Sequence, residues 1–226
     1  MKFYCFNRNK NYRKEIESII NCKKNEIFSF FGKSLENLDF DIYIYDTIED
    51  LIDNMKNRGF KNIPPYMCAC QRDVDNSINF FEPKDNPGSN EWSKDEYKKV
   101  IFHELIHAIQ YNLYGKQPEW LAEGIAKYLD GTYSKGIKYL LENYIHKRKI
   151  PSMDELENEF GMHDYDSYDY AYLIVSYLIE TLGKEKFLEK LSNKNFSSNL
   201  ILEAICYYNK KYFNDEFYNY EVKNTL

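Results

Sequence analysis

Two histidines four residues apart bracket a glutamate in the run His103-Glu104-Leu105-Ile106-His107. On a helix, side chains at that spacing lie one above the other, so two imidazoles can grip one metal ion. Zinc suits them, because it takes nitrogen and carboxylate oxygen ligands and, in catalytic sites, three protein ligands plus a water. Glu104 projects beside such an ion rather than onto it, where its carboxylate can take a proton from a water that the metal has made more acidic. A second acidic stretch follows in Glu119-Trp120-Leu121-Ala122-Glu123-Gly124, and Glu123 stands sixteen residues after His107, room enough for the chain to fold back and aim a carboxylate at the ion. Glu119, Asp130, His146 and His163 carry the right donor atoms for the third ligand as well.

The elements that must position these groups are marked at their ends. Ser93 with Glu96 three residues later forms a capping box, and Trp92 with Tyr97 a hydrophobic staple. Asp95 and Glu96 suit the positive end of the helix, and Gly115 supplies its stop. Between these signals Val100, Ile101, Leu105, Ile109 and Leu113 repeat with helical spacing, which places both histidines mid-helix. Gln117-Pro118 opens a second helix carrying Glu123, with proline at the first position, and Gly131 closes it.

The pairing of a His-Glu-x-x-His motif with a downstream Trp-Leu-x-Glu-Gly segment resembles the gluzincin zinc metallopeptidases of the thermolysin-related clan, its small peptidase MA-like members in particular. The resemblance implies one zinc per chain held by His103, His107 and Glu123, with Glu104 as general base. The metzincin extension wants Gly and His where this chain has Gln110 and Leu113. The aspzincin pattern wants an Asp where Lys135 follows Gly131-Thr132. Lys127 departs from thermolysin itself, which has an Asp four residues after the ligand Glu. Asp130 is then the candidate second carboxylate for orienting a histidine.

A chain of 226 residues is long enough to bury a substantial core. The formal charge of −6, with Lys and Arg spread along the chain, argues against a nucleic-acid surface. The longest apolar run, Ala171 to Ile179, is far short of a membrane span, which excludes a membrane partner of that kind. Met1-Lys2-Phe3-Tyr4-Cys5-Phe6 passes straight into Asn-Arg-Asn-Lys and lacks the apolar core of a signal peptide, so a cytoplasmic protein is expected if Met1 is the native start. Five cysteines without paired spacing suit reduced thiols, Cys68 and Cys70 included. The 22 Tyr and 15 Phe are read as core and half-buried surface.

Residues 3–6 read as a strand, Tyr12 to Phe31 as a helix closed by Gly32, and Phe40 to Tyr45 as an alternating strand. A helix capped by Asp46 or Thr47 runs through Met55. Tyr66 to Gln71 and Ser77 to Phe81 read as a hairpin just before the histidine helix. After Gly131 the chain reads as wholly helical: 135–147, a short helix from Pro151-Ser152, a nearly all-apolar helix 168–182 ended by Gly183, then 184–191 and 200–213. The expected fold is α+β and zincin-like: one catalytic domain over 1–226, with an N-terminal lobe of mixed sheet and helices to about 115, then an all-helical lobe from about 116.

The resemblance makes Ser77–Phe81 an edge strand that holds an extended substrate peptide by strand addition. It also asks for a Tyr or His that donates to the oxyanion formed when a peptide carbonyl is attacked. In the MA-like pattern a Tyr stands nine residues before a Tyr-Leu pair and fifteen before a Gly, which here are Tyr168, Tyr177-Leu178 and Gly183. Tyr170 and His163 are the alternatives. These readings give a zinc peptidase acting on a peptide or protein substrate, with a non-catalytic zinc-binding sensor as the second reading.

Overall fold

The computed structural model describes residues 2–6, 10–32, 40–60, 69–72, 77–82, 94–161, 166–193 and 195–213. The chain divides into two compact units, Met1–Lys116 and Gln117–Leu226. In order, the first contains β1 (Lys2–Cys5), α1 (Lys10–Phe31), β2 (Asp41–Tyr45), α2 (Ile48–Asn57), β3 (Ala69–Arg72), β4 (Ser77–Phe81) and α3 (Lys94–Tyr114). The expected capping box at Ser93, the staple at Trp92, and the side chains of Cys68 and Cys70 lie outside the described residues.

Alternation builds the sheet. In β2, Ile42 and Ile44 are fully buried while Asp41 and Tyr43 are half-exposed, the pattern of a strand with one face inward. The strand order is β1-β2-β4-β3, with β1, β2 and β4 parallel and β3 antiparallel to β4. This corrects one expectation: Ser77–Phe81 is an interior strand, paired on both sides, and among the described residues the edge beside it belongs to β3. The reason is that β2 pairs with it on one side and β3 on the other, and its faces are covered as well. Ser77 and Asn79 are as fully buried as Ile78 and Phe80, because Arg58, at the end of α2, reaches over them. The guanidinium donates to Asn79 Oδ1 and, at 3.4 Å, to Ser77 Oγ, while its carbon lies 4.3 Å from the centre of the Tyr43 ring. Two buried polar groups thereby gain the hydrogen bonds that burial demands.

At the end of β4 two tyrosine hydroxyls join strand to helices. The Phe81 amide donates to Tyr97 Oη on α3 (3.0 Å), and Tyr12 on α1 donates to the Phe81 carbonyl (2.8 Å). Backbone groups at the sheet's end are thus satisfied by side chains of the helices packed on it. Gly115 ends α3 with φ of 67°, a left-handed value that glycine adopts without strain.

The second unit contains α4 (Glu119–Asp130), α5 (Gly136–Asn143), α6 (Met153–Asn158), α7 (Ser167–Leu182), α8 (Lys184–Asn193) and α9 (Leu200–Phe213). Pro118 stands just before α4, its carbonyl accepting from the Leu121 and Ala122 amides, and Gly131 closes the helix in the left-handed region. The expected helix 135–147 is shorter. It breaks at Tyr144 (φ −129°) into a 3-10 turn, Ile145–Lys147, which buries Ile145 and brings His146 Nε2 within 2.9 Å of Asn209 Oδ1 on α9. α6 carries a capping box between Ser152 and Glu155. α7 is buried along most of its length, as its apolar sequence predicts, and its Glu180 accepts from Tyr207 (2.6 Å) and Tyr208 (3.2 Å) on α9. No helix among the described residues is long and apolar enough to cross a membrane.

Candidate metal centre

α3 buries Ile101, Leu105, Ile106, Ala108 and Ile109 and leaves His103, Glu104 and His107 half-buried on another side. The one-turn offset does what the sequence predicts: the two Nε2 atoms approach to 3.0 Å, with ring centroids 4.6 Å apart and planes at 81°. Tetrahedral zinc with metal–nitrogen bonds of about 2.0–2.1 Å needs ligand nitrogens roughly 3.3 Å apart. The pair is therefore near the spacing a shared ion requires.

Among the described residues, one group of three side chains has donors placed for a metal ion. One atom each of His103, His107 and Glu123 lies within 4.8 Å of the others, and all three residues are half-buried. Two imidazole nitrogens and one carboxylate oxygen form a donor set that zinc accepts while keeping a fourth position open. The other candidate ligands are placed differently. Glu119 is exposed at the start of α4. Asp130 Oδ1 accepts from the Thr132 amide (2.7 Å) where α4 ends, and His146 faces Asn209. His163 lies outside the described residues.

Within the second unit, Gly124 explains how the helix carrying Glu123 is seated. A Cβ built on Gly124 would lie 2.5 Å from the Ala171 carbonyl oxygen and 2.6 Å from Val175 Cγ2, so α4 meets the backbone of α7 where the side chain is missing. Glycine in a helix interior is unfavourable by about 0.8–1.0 kcal/mol relative to alanine. That cost was the signal in the sequence that something passes close by.

Tyr168 is the second residue of α7. Its amide donates to the N-cap carboxylate of Asp166 (3.0 Å), and its ring meets the edge of Phe160 (centroids 5.1 Å) and the Lys127 ammonium (5.3 Å). Lys127, at the position of the thermolysin carboxylate, thus faces an aromatic ring, an attraction of the cation–π kind. Tyr168 remains 39 % exposed, whereas Tyr170 is fully buried with its hydroxyl donating to the Lys149 carbonyl (3.0 Å). Tyr170 is therefore a packing residue, and Tyr168 the more open phenol of the two.

Sequence reasoning missed Asp169. Its buried carboxylate accepts from Tyr133 Oη (2.5 Å) at one oxygen and from Arg148 Nη1 (3.1 Å) at the other. Burial pushes its pKa above the ordinary carboxylate value, and the bond to Tyr133 opposes that. Its partners stand 36 and 21 residues away, so nothing local announces them.

No curated protein matches the sequence. A family model described as the peptidase MA superfamily does, over residues 79–216, a span that runs from inside β4 through the histidine helix to just beyond α9. More than half of the chain is covered, including every residue of the metal-capable group, and the chain belongs to the peptidase MA superfamily.

Proposed function

We propose that the protein is a zinc-dependent peptidase of gluzincin type, with His103, His107 and Glu123 as ligands, Glu104 as general base and Tyr168 as oxyanion donor. The observation that carries this reading is the convergence of the three donor atoms with Glu104 directly following the first histidine. A bound zinc ion would supply Lewis acidity toward a water and a peptide carbonyl. Glu104 accepts a proton as the water oxygen attacks the carbonyl carbon, and returns it to the amine when the carbon–nitrogen bond breaks. The Tyr168 hydroxyl donates a hydrogen bond to the oxygen on which negative charge develops.

The substrate is a peptide or protein. β3, as the edge strand next to β4, offers backbone groups for an extended chain. In this reading residues 1–226 form one catalytic domain, cytoplasmic, with neither nucleic acid nor membrane as partner.

Two measurements made side by side test the proposal. The purified chain should hold about one zinc. Glu104→Gln should retain the zinc while cleavage, profiled on a proteome-derived peptide library, falls by ~10²-fold or more. Zinc below a tenth of an equivalent after supplementation and dialysis removes the metal reading. Zinc-loaded chain that cleaves nothing leaves a non-catalytic zinc protein.

A further inference from the structure

The residues that open α7 are tied down one after another. Asp166 caps the helix through the Tyr168 amide. Ser167 Oγ accepts from the Gly161 amide at 2.9 Å. Asp169 is held at both carboxylate oxygens by Tyr133 and Arg148, and the fully buried Tyr170 donates to the Lys149 carbonyl. Those anchors reach three separate segments: the turn after α4, the stretch before α6 and the turn after it. Only Tyr168 in this run presents a large, exposed side chain.

We propose that Asp169 is the positioning residue for Tyr168: gripped between Tyr133 and Arg148, it fixes the first turn of α7 so that the neighbouring phenol is presented in one direction. The role of that phenol rests on the function proposed above; its placement by Asp169 does not. A buried ion pair adds little net stability compared with apolar residues of similar volume. A carboxylate bonded at both oxygens does fix rotation and height, and a donor aimed at a developing charge needs both held to within about 0.5 Å. Asp169 does not act on substrate itself, because it is 5 % exposed and both its oxygens are engaged.

The test uses the full chain with 3-fluorotyrosine at position 168, comparing Asp169→Asn and Tyr133→Phe with the unsubstituted protein. Tyr133→Phe deletes one bond to Asp169 and keeps the ring that stacks 4.3 Å from Tyr172, so it carries the test if Asp169→Asn fails to fold. The fluorine resonance is expected to shift or broaden in both variants, with and without zinc. On a cleaved library peptide, kcat should fall by ~10- to ~10²-fold, as for a misplacement of about 1 Å, with KM and zinc content within about twofold of wild type. Combining either change with Tyr168→Phe should cost no more than Tyr168→Phe alone. An unchanged fluorine resonance overturns the proposal, as do kcat losses that multiply with that of Tyr168→Phe. Absence of any cleavage overturns the peptidase reading instead, and the fluorine resonance then decides the placement of Tyr168 without it.

Discussion

Replacing Gly124 with alanine adds one methyl group at the tightest approach of α4 to α7. The new carbon would lie 2.5 Å from the Ala171 carbonyl oxygen, 2.6 Å from Val175 Cγ2 and 2.9 Å from the Ala171 carbonyl carbon. Carbon contacts are comfortable at roughly 3.5–4.0 Å, so the helices must part by about 1 Å. In an open helix the substitution would stabilise by about 0.8–1.0 kcal/mol. Overpacking a close-packed interior costs about 1–3 kcal/mol, and the upper end applies here because two of the three obstructing atoms are backbone and cannot rotate away. The net expectation is a loss of about 1–2 kcal/mol, which at ~2–4 °C per kcal/mol for a chain of this size lowers Tm by about 2–8 °C. Urea unfolding and calorimetry measure it. Val175→Ala in the same chain should restore only part of the loss, since the Ala171 carbonyl still blocks the methyl. A Gly124→Ala protein as stable as wild type, or more so, refutes the argument that the glycine exists to admit α7.

Three further outcomes are expected. Glu123→Gln should release zinc to a competing chelator more readily than Glu119→Gln, because a ligand carboxylate contributes charge as well as coordination; the reverse order would place the ligand one turn earlier. Tyr168→Phe should lower kcat by ~10²–10³-fold with KM and zinc affinity unmoved, since the hydroxyl is used only once the carbonyl oxygen is charged, and retention of half the wild-type kcat would remove it from the chemistry. Glu155 is held down to about 2 by the Lys149 ammonium and by the Ser152 amide. A depressed carboxyl contributes stability above its ordinary value, and that contribution fades as pH falls through the lowered one. An NMR titration of the Glu155 carboxyl should therefore have its midpoint near 2, and one near 4.5 would show that the capping box is open in solution.

The parts of this fold that were legible in the sequence are those governed by neighbours along the chain. The stops at Gly115, Gly131 and Gly183, the cap at Thr47, one of the two residues expected there, and the alternation of β2 each depend on a few consecutive residues, and the structure has all of them. The histidine spacing belongs to the same class. What the sequence concealed depends on distant partners. The resemblance put β4 at the edge of the sheet, whereas it pairs with β2 on one side and β3 on the other, and Arg58 arriving from α2 supplies partners for its buried Ser77 and Asn79. Past the break at Tyr144, His146 meets Asn209, 63 residues on. Asp169 owes its place to Tyr133 and Arg148, 36 and 21 residues away, and the passage of α7 past Gly124 was announced only by a glycine where a helix would prefer almost anything else.

The tyrosine hydroxyls that join one element to another also decide how this protein meets alkali. Burial raises Tyr12, Tyr133 and Tyr208 well above the ordinary phenol, helped by the charges of Glu82, Asp169 and Glu180 respectively. A group whose pKa is higher in the folded state stabilises that state below about 10, its unfolded value, and withdraws the contribution as pH rises further. The deprotonated phenol absorbs ultraviolet light differently from the neutral one, so exposed tyrosines should colour gradually as base is added. The buried ones should stay silent until the chain opens and then change together. In a sequence with 22 tyrosines, the steep portion of an alkaline absorbance curve would report the opening of the helices and sheet rather than the acidity of any single ring.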